Sequence, residues 1–243
     1  YQVNVGIPAG QQGPPGPEQL LWSYTAFVDV LNGNNGTAVI GDATKPYLDA
    51  QAANNALVAL GIFNSGLQGL VYLRNGSHTT NAGFSFGDWI NVYMETGAKM
   101  IGNVLANPTV TLIGRTHILG LASTIAHNVT GGKAIYASTF YSGRIFLNKV
   151  QGAIDINMGG SSCEIDIRDI LPTSGVNVSN GFGDTASGNI LLRNGFCDFT
   201  SINCWSSIRA GDTGTQTVVT LRGNFKAGLW IENNARIIIR GAD

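Results

Sequence analysis

Charge is what this chain has least of. Only 12% of its 243 residues are Asp, Glu, Lys or Arg, about half the usual share of a soluble domain. Coiled coils, helical bundles and charged disordered chains all carry more. Lys and Arg number 14 against 15 Asp and Glu, a net charge of −1. With no basic excess, neither a nucleic-acid duplex nor an anionic membrane surface is an expected partner. No apolar run approaches the roughly 18 residues that a spanning helix needs, so membrane insertion is not expected. Cysteine is scarce as well. Cys163, Cys197 and Cys204 are odd in number and form no CxxC pair, which excludes a disulfide framework and a zinc site. Two readings stay open for Cys197 and Cys204, buried free thiols or a pair meeting across a turn. His78, His117 and His127 lack metal-ligand spacing. Gly131-Gly132-Lys133 lacks the flanks of a phosphate loop, and Ser161-Ser162 has no nucleophile-elbow context. No cofactor is expected. The chain opens on Tyr1, without a basic-then-apolar leader.

What fills the space is glycine, 33 positions of it, together with Asn, Thr and Ser. Gly10, Gly13 and Gly16 stand at every third position, with Pro14, Pro15 and Pro17 between them. Only glycine fits at the axis of three wound polyproline II chains, so this period has a collagen-like reading. The same residues also read as a stiff Pro/Gly linker. Either way residues 1–18 are expected outside the folded body, and the collagen-like reading makes the protein a trimer.

Residues 19–66 hold an extended segment and the one convincing helix. Leu20 to Val30 read as extended, closed by the turn cluster Asn32-Gly33-Asn34-Asn35-Gly36. Thr44-Lys45-Pro46 predicts the helix start. Ala50, Ala53, Leu57 and Leu60 form its apolar stripe, and Gly61 ends it. Residues 67–243 show no helical period. Short apolar strands dominate instead, among them Leu70–Leu73, Asn91–Met94, Val110–Ile113, Arg144–Leu147, Ala153–Ile156 and Glu164–Ile167. Asn189–Leu192, Val218–Leu221, Leu229–Ile231 and Arg236–Ile239 follow, each bounded by Gly, Asn or Ser. A lag of 23 aligns Asn157, Asn180 and Asn203, Phe182 with Trp205, Ile167 with Ile190, and Ile208 with Ile231. Stacked asparagines hydrogen-bond as a ladder, and a repeat of that length falls in the solenoid range. At about 23 residues and 4.8 Å per coil, the segment predicts about seven or eight coils and a stack roughly 35 Å tall.

Tyr24-Thr25-Ala26-Phe27-Val28-Asp29, then Gly33-Asn34-Asn35-Gly36-Thr37, then Lys45-Pro46-Tyr47 and Gln51-Ala52-Ala53 resemble the opening of right-handed parallel β-helix proteins. This is the pectate-lyase-like superfamily, which includes many bacteriophage tail spikes and fibres. The resemblance implies an all-β, single-stranded right-handed parallel β-helix whose N-terminal α-helix caps the open end of the stack. An uncovered end would expose a sheet edge and a cross-section of core. The resemblance covers residues 24–60 and is silent about activity. Collagen-like triplets ahead of such a cap are similar to phage fibre and spike proteins, implying a homotrimer anchored to other virion proteins through its N-terminal segment.

Glycosidase chemistry needs two carboxylates about 5–9.5 Å apart. The acidic concentration is Asp155, Glu164, Asp166 and Asp169. Alternation puts Ile165 and Ile167 inward and Glu164, Asp166 and Arg168 outward, the two carboxylates about 6.7 Å apart. They are candidate catalytic residues with Asp155, although Arg168 beside them also suits a self-neutralising solvated face. Trp89, Trp205 and Trp230 are candidate sugar-stacking residues, or else core and interface anchors. The expected function is that of a trimeric structural or receptor-binding protein on the virion surface, in contact with a host cell-surface glycan. A tail-spike depolymerase and a bacterial extracellular adhesin are the alternatives.

Overall fold

The computed structural model describes residues 24–62, 66–129, 131–158, 162–171, 189–193, 195–210, 217–222, 225–231 and 235–240. The Gly10, Gly13 and Gly16 triplets lie outside the described residues, as do Asn180 and Phe182.

Alternation of apolar and polar side chains makes the strands. In β1 (Tyr24–Val28), Ala26 and Val28 are buried and Tyr24 is exposed. The helix α1 (Ala50–Ala59) follows. A first turn of chain then runs through β2 (Gly69–Leu73), β3 (Ser77–Thr80) and β4 (Phe84–Phe86). A second runs through β5 (Ile90–Met94), β6 (Lys99–Gly102) and β7 (Val110–Arg115). The third runs along β8 (Ile118–His127) into the first half of β9 (Lys133–Gln151). Counterparts in successive turns pair in parallel: β2 with β5, β5 with β8, β3 with β6, β6 with β8, β4 with β7, and β7 with β9. This is a parallel β-solenoid of about three turns with a single short helix. Parallel pairing continues through β10 (Ala153–Met158), β11 (Ser162–Leu171), β12 (Asn189–Arg193), β13 (Gly195–Ala210), β14 (Thr217–Arg222), β15 (Phe225–Ile231) and β16 (Ala235–Arg240).

The core is a set of inward rows. Val71, Val92, Ile118 and Ile145 stack across β2, β5, β8 and β9, and none has exposed surface. Phe86, Leu112 and Ala137 form the matching row of β4, β7 and β9. A slip of one residue would turn every such side chain to solvent, so the apolar pattern pins the register.

The strands read from the sequence between Leu70 and Ile239 all fall within these elements. The 23-residue period does not survive as the register. Ile167 pairs with Leu147 and Ile202 rather than Ile190, and Ile208 pairs with Ile190 and Leu229 rather than Ile231. Val71 to Val92 is a step of 21 residues, Val92 to Ile118 of 26, and Ile154 to Ile190 of 36. Pairing constrains only the strands, and the corner loops absorb the differences. Cys197 and Cys204 likewise share β13 with no turn between them, and the register partners of Cys197 are Cys163 and Val219.

The helix starts later than Thr44-Lys45-Pro46 predicts. Tyr47 forms a parallel bridge with Val28, its N–H donating to the Phe27 carbonyl at 2.8 Å. Pro46 therefore leads into extended chain rather than into the first turn of the helix. Asp49 is the N-cap, its carboxylate accepting the Ala52 N–H at 2.7 Å. Ala50, Ala53 and Leu57 are buried as expected, but Leu60 is 53% exposed and Asn54 takes the fourth buried place. Gly61 ends the helix at φ 68°, a conformation glycine adopts without steric cost. The buried stripe rests on β1, β2 and β4. Gln51 accepts the Ser85 N–H at 2.8 Å and donates to its carbonyl at 3.4 Å, while Asn54 accepts the Gly87 N–H at 3.3 Å. Among the described residues β4 has β7 as its strand partner, so these side chains serve backbone groups on its other edge.

Candidate functional site

The outward positions of β1, β2, β5, β8 and β9 form a ladder of apolar rings and one leucine. Phe27, Tyr72, Tyr93, Leu119 and Phe146 occupy a single register row. Parallel in-register pairing sets neighbours about 4.8 Å apart, which is the distance at which rings stack. The Phe27 and Tyr72 centroids lie 5.4 Å apart at 52°, and Tyr72 and Tyr93 lie 5.1 Å apart at 23°. Tyr93 is 41% exposed, so the ladder is open at its side. Burial pushes the Tyr72 phenol up to about 12, helped by its hydrogen bond to Glu95 and that carboxylate's charge. The next two places in the row are Asp166 of β11 and Ser201 of β13.

A polar row runs alongside. The Asn91 side-chain oxygen accepts the His117 N–H at 2.8 Å, tying β5 to the start of the third turn. Burial holds His117 below the usual histidine range, and the charge of nearby Arg144 adds to this. Arg144 is exposed on β9 and stands in register with Glu164, which in turn stands in register with Asp198.

Glu164 and Asp166 therefore share β11, alternating with Ile165 and Ile167, whose register partners Ile145 and Leu147 are fully buried. Cations are also placed beside the acidic strand by register, Arg144 at Glu164 and Lys149 at Asp169. Asp155 does not join them. It lies on β10 in register with Tyr136 and Leu191, on another face of the coil.

Trp89 sits at the corner between β4 and β5 with φ 65°, the one non-glycine at positive φ among the described residues. Such a conformation costs on the order of 1–3 kcal/mol and has to be held by its surroundings. Its N–H donates to the Arg115 carbonyl at 2.9 Å, and its carbonyl accepts the Gly69 N–H at 3.0 Å. The Arg115 guanidinium lies 4.2 Å over the indole and pairs with Asp88 at 3.0 Å. One face of this ring is thus already covered by a cation. Trp205 and Trp230 take register places opposite Lys226 and Arg209.

The ladder escaped the sequence reading although its signal was present. Val71-Tyr72-Leu73 and Val92-Tyr93-Met94 carry an aromatic at the same outward place, 21 residues apart, and a search at 23 passes over it. Among the described residues no group of three or more His, Cys, Asp or Glu is placed to hold a metal ion. No helix there is long and apolar enough to cross a membrane. No family model, curated protein or solved structure matches this chain.

Proposed function

We propose that this protein is a homotrimeric surface protein of a virus particle that binds a host cell-surface glycan along the Phe27–Phe146 ladder. The open aromatic row carries the reading. Sugar rings lay their C–H faces on aromatic side chains, while flanking polar groups fix the hydroxyls. Tyr72 and Tyr93 offer the first, and Glu95 and Arg144 offer the second. The low charge of the chain favours lateral packing of three copies, since few charges would be stranded between them. Residues 1–18 would join the trimer to other virion proteins. The coil is taken as right-handed because parallel crossovers almost always are. The helix is taken as its end cap because Gln51, Asn54 and Leu57 cover an edge and a core cross-section that would otherwise meet water. Mass photometry of the purified chain is expected to show a trimer, and a stable monomer would refute that part. Binding to host surface polysaccharide is expected to fall sharply in Tyr93→Ala and Tyr72→Ala. Unchanged binding in both would remove the ladder from the reading.

A depolymerase is the second reading, favoured by one observation. The ladder row leads to Asp166, and the register brings Asp198 beside Glu164. Arg144, Lys149 and Arg168 weigh against it, because a solvated, neutralised face has the same composition. Polysaccharide cleavage that disappears in Glu164→Gln or Asp166→Asn would establish it.

A further inference from the structure

The pairing of β9, β11, β13 and β14 sets Gly143, Cys163, Cys197 and Val219 in one register row. Two of the chain's three cysteines thus stand opposite each other on neighbouring parallel strands. Cys163 alternates with Glu164 and shares a face with Ile165, whose register partner Ile145 is fully buried. The row therefore belongs to the inner face of the coil. In-register neighbours on parallel strands lie about 4.8 Å apart, and disulfides join Cα atoms about 4.4–6.8 Å apart. Two cysteines on one face at that spacing meet the backbone requirement for a bridge. Cys204 does not. It falls where the β13–β15 pairing breaks between Ile202 and Trp205, and the register partners of Cys163 and Cys197 do not include it.

The place of the pair matters as much as its geometry. Along this row the chain advances 20 residues from Gly143 to Cys163, 34 from Cys163 to Cys197, and 22 from Cys197 to Val219. The cysteines bracket the long step. Bringing the ends of a segment together costs more entropy as the segment lengthens, so a cross-link stabilises most where the closed segment is longest. We propose that Cys163 and Cys197 are an oxidisable pair that closes to a disulfide and joins two successive coils across this step. The oxidant is a low-molecular-weight or protein disulfide. One cysteine thiolate attacks a sulfur of that disulfide, forming a mixed disulfide and expelling one thiolate. The second cysteine thiolate attacks the sulfur of the first, and the other half of the oxidant leaves. Two protein thiols lose two protons and two electrons, and the oxidant is reduced to two thiols. Exchange needs accessible thiolates, so a pair on the inner face closes while the coil is forming. Cys204 stays a thiol. The pair is independent of the ladder and of what the ladder binds.

The test is a thiol count on the full chain refolded in a mixture of reduced and oxidised glutathione. Alkylation with iodoacetamide in guanidinium without reductant, followed by mass spectrometry, is expected to modify Cys204 alone and to reveal a Cys163–Cys197 linked peptide. The link should vanish on reduction, survive in Cys204→Ser and be absent from Cys163→Ser. In thermal melts, reduction is expected to lower the parent's Tm by roughly 5–10 °C and to leave that of Cys163→Ser unchanged. Three alkylated cysteines in the parent would overturn the proposal, and that count stands whether or not the variants fold. A link that includes Cys204, covalently joined chains on a non-reducing gel, or a parent Tm indifferent to reduction would overturn it as well.

Discussion

Asp29→Asn tests how the segment ahead of the helix is tied to the first turn. Asp29 follows β1 and is 7% exposed. One carboxylate oxygen accepts the Leu31 and Asn32 N–H groups at 2.9 and 3.0 Å. The other accepts the Asn32 side-chain amide and the Arg74 guanidinium, both at 3.1 Å. Arg74 passes the connection on to the Ala43 carbonyl at 2.7 Å. Burial pushes the Asp29 carboxyl up, but the donors from Asn32, Leu31 and Arg74 outweigh it and hold the pKa at about 2, against 3.8 for an unperturbed aspartate. At 1.36 kcal/mol per unit, that difference is worth about 2 kcal/mol of stability at neutral pH. The sign follows from the depression. The contribution is complete above about pH 4 and is lost as the pH falls toward 2. An asparagine keeps the shape but removes the charge, and its NH2 faces donors wherever it points. Asp29→Asn is expected to lower Tm at pH 7 by roughly 4–8 °C. It should also flatten the acid limb, so that parent and variant converge near pH 2. Calorimetry at pH 7, 5, 4 and 3 reads both effects. A variant with the parent's Tm at pH 7, or with the parent's full acid limb, would refute the reasoning.

Leu57→Ala opens a cavity at a fully buried position of α1 and is expected to cost about 2–5 kcal/mol. Leu60→Ala, at 53% exposure, should stay within about 0.5 kcal/mol in the same denaturant melts; equal effects would show that the stripe does not pack. Gly132→Ala drives a methyl into the His127 imidazole, which is fully buried and held near the Val104 and Asn107 carbonyls. Overpacking there is expected to cost about 1–3 kcal/mol, and a parent-like melt would contradict the geometry. In ultraviolet titration one tyrosine should ionise near pH 12 and disappear from the curve in Tyr72→Phe. Glu95→Gln should bring that step down, because it removes a charge that opposes the phenolate; an unmoved midpoint would mean that Glu95 does not reach the ring.

Strand, helix and class were legible in the residues because each rests on a local pattern. Period-two alternation marks Val71-Tyr72-Leu73 and Ile165-Asp166-Ile167 wherever their partners lie. Alanines and Leu57 at helical steps mark α1, and Gly61 marks its end for a steric reason internal to that residue. The helix start has no local mark, because Tyr47 spends its hydrogen bonds on β1 and its flank, eighteen or more residues away in the chain. Short polar β3 has no pattern of its own; its pairing with β6 makes it a strand. Register belonged wholly to the tertiary structure, since corner loops vary in length and leave no fixed period. With register came everything that joins distant residues: the stacking of Phe27, Tyr72 and Tyr93, the place of Asp166 at the end of their row, and the separation of Asp155 from it.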